Sequence, residues 1–214
     1  MATVQKYLPE GLYKRLQRVK HLREWAGRGY SEHAPQFVKE GLFMRHGVPN
    51  ATWIETGTFL GTTTRFLSQR APKVYTIEPS DLYYRRALET FKGQNVEVIN
   101  APSEDALPKL LPELTGPLNF WLDGHYSAGE TYKGEIECPV EPELTAIAAN
   151  LDHLDAVSIL IDDVRLFFRD ETTHEDYPSL DYLVDWSREN GFEWRIEHDI
   201  FIMKRIVGSS SNQQ

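Results

Sequence analysis

Three carboxylates stand at the ends of two strand-like runs in this sequence. Asp123 ends the run Asn119–Asp123, and Asp162 and Asp163 stand at the end of the run Val157–Asp162. Neighbouring parallel strands end at the same edge of a sheet, so these acids are expected to share one cleft. Their mutual repulsion disfavours ionising all three, and a divalent cation such as Mg²⁺ would relieve it through oxygen ligands. In the alternative interpretation, Asp162 or Asp163 caps the following segment and Asp123 contacts an amine of a bound molecule.

A histidine follows in the same loop. His125 lies two residues beyond Asp123, and an imidazole titrates near neutral pH. We expect His125 to accept the proton of a reacting hydroxyl group as a general base. A hydrogen-bonding role without proton transfer is the alternative, since a lone histidine in a loop more commonly has that role.

A second group of residues surrounds a glycine turn. The segment Trp53–Thr63 reads WIETGTFLGTT and combines an acid, two glycines and small hydroxyl residues. Glycine lets a ligand approach the backbone closely, and the helix that follows begins with free amides. Glu78 ends the next strand-like run, 21 residues after Gly57, where a carboxylate can accept both hydroxyls of a ribose. Together these residues predict a binding site for a ligand that contains ribose.

The elements that position these residues alternate between strand-like and helical runs from Thr52 onward. This alternation predicts an α/β fold, with a doubly wound, mostly parallel seven-stranded sheet and helices on both faces. Only His198 and Asp199 separate the last two strands, so these strands are expected to form an antiparallel hairpin. The predicted strands are Thr52–Glu55, Val74–Glu78, Val96–Ile99, Asn119–Asp123, Val157–Asp162, Glu193–Glu197 and Ile200–Arg205. The predicted helices of this part are Thr62–Gln69, Asp81–Phe91, Ser103–Leu111, Pro142–Leu151 and Leu180–Asn190.

Two further helices are predicted before the sheet, over Pro9–Trp25 and Ala34–Arg45. Residues 1–50 are therefore expected to form N-terminal helices that act as a lid or as the contact of a homodimer. Residues 51–207 form the predicted ligand-binding domain, and 208–214 a disordered tail. The first helix carries five basic residues, which predict either a solvated face or a site for an acidic partner: Lys14, Arg15, Arg18, Lys20 and Arg23.

Composition narrows the class of partner. The chain has 214 residues, a formal net charge of −9 and a pI near 5.3, which argues against general affinity for nucleic acid or anionic membranes. A small-molecule substrate is the better expectation. The single cysteine, Cys138, excludes an intrachain disulfide, and the sequence shows neither a signal peptide nor a membrane-spanning run. These features predict a cytoplasmic protein.

The turn, the acid after the second strand and the terminal hairpin together resemble the class I S-adenosylmethionine-dependent methyltransferases. The resemblance runs from about Thr52 to Arg205, and the third glycine of the dinucleotide-binding pattern is missing. It implies that the turn binds the methionine end of S-adenosylmethionine, that Glu78 binds the ribose and that Ser103 touches the adenine. An N-cap is the alternative role for Ser103. The predicted cofactor site comprises Glu55, Thr56, Gly57, Thr58, Gly61, Thr62, Glu78, Ser103 and Asp123.

The acids at the two strand ends resemble those of metal-dependent O-methyltransferases of the catechol and macrocin types. The resemblance implies that Asp123, Asp162 and Asp163 bind Mg²⁺, which would orient a substrate hydroxyl and lower its pKa. Enzymes of the catechol type use a lysine where this chain has Tyr126, so the identity of the base stays open between His125 and another group.

The implied function is methylation of a small molecule, first of all at the hydroxyl of a sugar or natural product. Metal-independent methylation of a carboxylate or amine is the nearest alternative. An NAD-dependent oxidoreductase, aminopropyl transfer and a non-catalytic binding module are the others. Segment Ser127–Glu141 is expected to be a lid or specificity loop. Arg165, Phe167 and Phe168 are expected either to line the substrate pocket or to pack in the core.

Overall fold

A seven-stranded sheet forms the centre of the computed structural model, which describes residues 9–30, 33–124, 138–168 and 177–206. The strands lie in the order β3-β2-β1-β4-β5-β7-β6. Strand β7 runs antiparallel to β5 and β6, and the other neighbouring strands are parallel. The predicted Rossmann-like, doubly wound sheet with its C-terminal hairpin is confirmed. Its strands are β1 (Thr52–Thr56), β2 (Val74–Ile77), β3 (Val96–Ile99), β4 (Leu118–Leu122), β5 (Ala156–Ile161), β6 (Glu193–Glu197) and β7 (Ile200–Ile206).

The helices fall where the sequence pattern predicts them, with ends that differ by up to three residues. The largest difference is at the end of α6, where the Asn150 side-chain amide donates to the carbonyl of Ala146 at 2.8 Å. This bond satisfies a carbonyl of the last helical turn, and Leu151–His153 follow as a separate 3-10 turn. The α-helices are α1 (Glu10–Gly27), α2 (Gln36–His46), α3 (Thr62–Ser68), α4 (Asp81–Thr90), α5 (Ser103–Leu110), α6 (Val140–Ala148) and α7 (Leu180–Glu189).

Alternate residues of the central strands build two hydrophobic layers, one on each face of the sheet. In β4, Phe120 and Leu122 belong to the layer that α5, α6 and α7 cover, whereas Trp121 belongs to the opposite layer. Leu42 and Phe43 of α2 complete that opposite layer and are each 1% exposed. Helix α2 is therefore part of the core, and its position over the sheet is set by buried apolar contacts.

Helix α1 packs differently, because its apolar stripe is open to solvent. Leu12, Leu16, Val19 and Leu22 recur at helical spacing, and each is between 40% and 50% exposed. The indole of Trp25 anchors the end of the helix: it is 3% exposed and meets the His198 ring edge-on at 5.2 Å.

Within the described ranges, no helix is both long enough and apolar enough to cross a bilayer. The predicted tail, 208–214, lies outside those ranges.

A buried asparagine links the loop after α2 to the sheet. Asn119 of β4 is fully buried, accepts from the backbone N–H of Val48 at 2.8 Å and donates to the Val48 carbonyl at 3.0 Å. Its amide thus pairs both backbone polar groups of Val48, a half-buried loop residue.

We predict that Asn119→Ala lowers the free energy of unfolding by about 2 kcal/mol, because two half-buried backbone groups of Val48 lose their partners together. Urea unfolding of the purified protein measures this. Asn95→Ala is the matched control, since the Asn95 amide makes one bond, to the Ala71 carbonyl at 2.7 Å, and should cost about 1 kcal/mol. Equal losses in the two variants would contradict the prediction.

Candidate cofactor site

The glycine turn after β1 lies where the order of the parallel strands reverses between β1 and β4. In sheets of this kind, ligands bind beyond the carboxyl ends of the strands at such a point. Gly57 and Gly61 have φ angles of +86° and +70°, which residues with a side chain seldom adopt. At Gly57 there is also no space: a Cβ atom would lie 2.5 Å from the carbonyl oxygen of Asp123. Glycine is therefore required here by conformation and by contact.

The first predicted acid, Glu55, is enclosed behind this turn. Its side chain is 1% exposed and accepts hydrogen bonds from the hydroxyls of Thr64 at 2.5 Å and Thr76 at 2.7 Å. The Thr76 hydroxyl also pairs with that of Thr58 at 2.6 Å. Burial raises the pKa of Glu55 to about 7, against the effect of the threonine hydroxyls, and the nearby charge of Glu78 adds to the rise. Glu55 thus connects α3 to β2 behind the turn, and its contact with a cofactor stays a prediction.

The second acid, Glu78, joins the turn to the loop after β2. One carboxylate oxygen accepts from the backbone N–H of Phe59 at 2.8 Å, and the other accepts from that of Ser80 at 2.9 Å. The side chain is 4% exposed, and burial raises its pKa although the two amide bonds act against the rise. Each oxygen keeps further acceptor capacity, so a carboxylate held in this way can also bind a hydroxyl pair.

Three hydroxyl residues of the predicted site differ in their surroundings. Thr56 is fully buried, and its hydroxyl has no hydrogen-bond partner among the described residues. Thr62 begins α3 directly after the left-handed Gly61. Ser103 is 7% exposed and is the first residue of α5; Pro102 holds the N-cap position without a side-chain cap bond. The N-cap alternative for Ser103 is therefore wrong, and its contact with an adenine stays a prediction.

The three predicted metal-binding acids do come together at the carboxyl edge of the sheet. Leu122 pairs with Ile161 in the parallel register of β4 and β5, so Asp123 and Asp162 follow at neighbouring positions. The backbone N–H of Asp123 donates to the Thr56 carbonyl at 3.2 Å, which places it beside the glycine turn. The side chain of Asp162 is buried, being 4% exposed.

Two basic side chains reach into this acidic edge, and the sequence analysis identified neither as a partner of the acids. Lys39 of α2 donates to the Asp162 carboxylate. Burial works against its ammonium form, but the charges of Asp162, Asp123 and Asp163 outweigh this and raise the pKa of Lys39. Arg165 donates to Asp163 at 2.7 Å and also to Asp199 of the hairpin turn.

The predicted magnesium site does not fit this arrangement. Asp162 and Asp163 already hold basic groups in hydrogen-bond contact, and a cation beside these groups would meet like-charge repulsion. The described part of the chain contains no group of three or more acids, histidines or cysteines placed to hold a metal ion. The strand pattern correctly predicted that the acids share one edge, but the basic groups beside them were not predicted from the sequence.

Other predicted residues fall outside the site or outside the described ranges. His125 and most of the predicted lid, Ser127–Glu141, lie outside those ranges. Phe167 is 1% exposed and packs edge-on against Tyr177 at 5.5 Å, so it is a core residue. Phe168 is 53% exposed.

Glu143 of α6 is a further acid that the sequence analysis missed. It is fully buried beside the end of β4, with a carboxylate oxygen 3.7 Å from where a Cβ atom on Gly124 would lie. The sequence signal that could have found it is an acid placed among the apolar residues of an amphipathic helix.

Comparison with known proteins supports the fold. No protein-family model and no curated protein matches this chain. A putative rRNA-methylase from Clostridium thermocellum matches with a TM-score of 0.52 and 10% identity, over 81% of this chain and 97% of that one. Precorrin-6y C5,15-methyltransferase from Geobacter metallireducens GS-15 matches at 0.51 and 15%, over 81% and 89%. The DhpI–SAH complex matches at 0.50 and 15%, over 87% and 94%. The chain therefore has the Rossmann-like fold that methyltransferases share.

The close contact at Gly57 predicts that adding a side chain there lowers the stability of the protein. Gly57→Ala should lower the free energy of unfolding by about 1–3 kcal/mol more than Gly93→Ala, because only Gly57 meets backbone atoms at overpacking distance. Gly93 is the matched control, since its φ is +75° and an added Cβ would meet nothing within 4 Å. Urea unfolding of the two variants makes the comparison, and equal losses would show that φ alone matters.

The buried Glu55 predicts a pH dependence of stability. The folded state binds the Glu55 proton more tightly than the unfolded state, whose value is 4.5, so this stabilisation is complete below pH 4.5 and is lost as pH rises through about 7. Between about pH 5.5 and 8, the wild type should lose about 2 kcal/mol relative to Glu55→Gln in urea unfolding. In the exposed-site control Glu97→Gln, the free energy of unfolding should depend on pH as it does in the wild type. If Glu55→Gln also shows the wild-type pH dependence, the raised pKa of Glu55 is refuted.

Proposed function

We propose that this chain is an S-adenosylmethionine-dependent methyltransferase that acts on a hydroxyl group of a small molecule. The observation that carries the proposal is the Glu78 carboxylate, buried at the end of β2 and fixed by the amides of Phe59 and Ser80 beside the glycine turn. A pre-oriented carboxylate at this position is suited to bind the two hydroxyls of a ribose. The fold shared with methyltransferases is consistent with it.

The residues present fit this cofactor. Gly57 and Gly61 give the turn its left-handed backbone beyond the carboxyl end of β1, and the buried Thr56 hydroxyl has no partner among the described residues. In the proposal, the turn and Asp123 bind the methionine end of the cofactor, Glu78 binds its ribose and Ser103 contacts its adenine. When bound, S-adenosylmethionine supplies an electrophilic methyl group on a sulfonium.

The chain's own groups would orient the acceptor and receive its proton. Asp123 and Asp162 lie side by side at the edge of the cleft and can accept a hydrogen bond from a hydroxyl. On sequence grounds, His125 is the proposed general base, because it follows Asp123 by two residues. Magnesium is not part of the proposal, since Lys39 and Arg165 hold two of the three acids that would bind it.

A small acceptor is favoured by charge. The net charge of −9 opposes the approach of a nucleic acid backbone, and DNA or RNA binding usually depends on basic surface. One structure with this fold is named as a putative rRNA-methylase and another as a precorrin methyltransferase, so the fold alone does not select the acceptor.

The proposed cofactor site can be tested by ligand binding. Calorimetric titration should show one site for S-adenosylmethionine and S-adenosylhomocysteine, and Glu78→Gln should weaken both by about 10- to 100-fold through the loss of charge-assisted hydrogen bonds. Glu97→Gln, on the exposed side of β3, is the matched control and should bind as the wild type does. Binding of neither ligand by the folded wild type, or preferential binding of NAD, would refute the proposed class.

The proposed acceptor, a hydroxyl group of a small molecule, can be tested by methyl transfer. Methyl label from S-adenosylmethionine should enter a low-molecular-weight cell extract, and the product should survive alkali because a methyl ether resists hydrolysis. Release of labelled methanol in alkali would point to a carboxylate acceptor. Labelling of total RNA in place of the extract would contradict the small-molecule assignment.

A further inference from the structure

A lysine from the N-terminal part of the chain enters the acidic edge of the cleft. Lys39 donates to the Asp162 carboxylate, and the side chains of the two residues are 15% and 4% exposed. Its ammonium group also lies 5.5 Å from the centre of the ring of Trp121, a buried residue of β4. Burial of an ammonium group is costly unless it is paired, so this position has to be maintained by its partners.

The position of Lys39 follows from the packing of α2. Phe43, one turn later on the helix, packs against Trp121 at 4.7 Å, and Leu42 is buried in the same layer. Gln36, one turn earlier, donates to the hydroxyl of Thr63 in α3 at 3.0 Å. Contacts on both sides therefore hold Lys39 against the carboxyl edge of the sheet.

Two basic side chains share this edge with four carboxylates, those of Asp123, Asp162, Asp163 and Asp199. Asp163 and Asp199 share Arg165, and Lys39 serves Asp162 with Asp123 and Asp163 in its field. A magnesium ion would take one or two carboxylate oxygens, with waters, at about 2.0–2.1 Å in a near-octahedral array. The Lys39 ammonium already occupies the Asp162 carboxylate and would repel such an ion.

We propose that Lys39 is the resident cation of this edge, in the place of the divalent metal that the sequence predicts, and that the cleft works without a metal there. Lys39 acts as a positioning residue: its ammonium group pairs with the Asp162 carboxylate and fixes it at the carboxyl edge of the sheet. The catalytic part of this inference rests on the proposed function, whereas the exchange of a metal for a lysine can be tested separately.

The test is Mn²⁺ binding, followed by electron paramagnetic resonance of the free ion. Wild-type protein should show no saturable site, and Lys39→Met should gain one Mn²⁺ per chain, with affinity at least tenfold above the wild type. The double variant Lys39→Met/Asp162→Asn should lose it again. Lys39→Arg keeps the charge and should bind no Mn²⁺. Lys73→Met is the matched control, because Lys73 pairs with Glu97 on the surface at 2.8 Å and away from the cleft.

If the wild type binds Mn²⁺ at a saturable site and Asp162→Asn removes this binding, the inference is overturned. This comparison needs no Lys39 variant. A folded Lys39→Met protein without a Mn²⁺ site would overturn it as well. Titration of the same samples with S-adenosylhomocysteine keeps the two proposals apart. If the wild type does not bind S-adenosylhomocysteine, the methyltransferase assignment is refuted. The Mn²⁺ result alone decides the role of Lys39.

Discussion

The close approach of the glycine turn to the end of β4 is the constraint on which the rest of the cleft depends. Gly57 lies so near the Asp123 carbonyl that no side chain fits between them. This contact joins the segments that follow β1 and β4, at the point where the strand order reverses. The turn in turn places the amide of Phe59 against Glu78, so the position of the proposed ribose-binding carboxylate follows from the same contact.

Two acids of one residue type take different roles because their surroundings differ. Glu55 is buried, one of its oxygens accepts from two threonine hydroxyls, and burial raises its pKa to about 7. Glu78 stands at the edge of the cleft, where backbone amides hold both of its oxygens. The first braces the turn from behind, and the second presents acceptor capacity to a ligand. A titrating group below the turn also couples the stability of the site to pH.

The acidic edge shows how one helix can change the chemistry that a set of carboxylates supports. Without α2, the acids after β4 and β5 would be a plausible metal site by their chemistry alone. With α2 packed on the sheet, Lys39 brings a permanent positive charge to Asp162. The apolar contacts of Leu42 and Phe43 therefore have an electrostatic consequence, because they determine where that charge lies.

Local patterns in the sequence determined the strands, the helices, the hairpin and the alignment of acids along one edge of the sheet. These features follow from periodicity, from a two-residue link that permits only a hairpin, and from the rule that parallel strands end together. The different surroundings of Glu55 and Glu78 were decided by tertiary structure, because two acids at strand ends look alike until their neighbours are known. The partnership of Lys39 with Asp162 was decided there as well. The two residues are 123 positions apart, and long-range packing of a helix on a sheet leaves no local pattern that could predict which side chains meet.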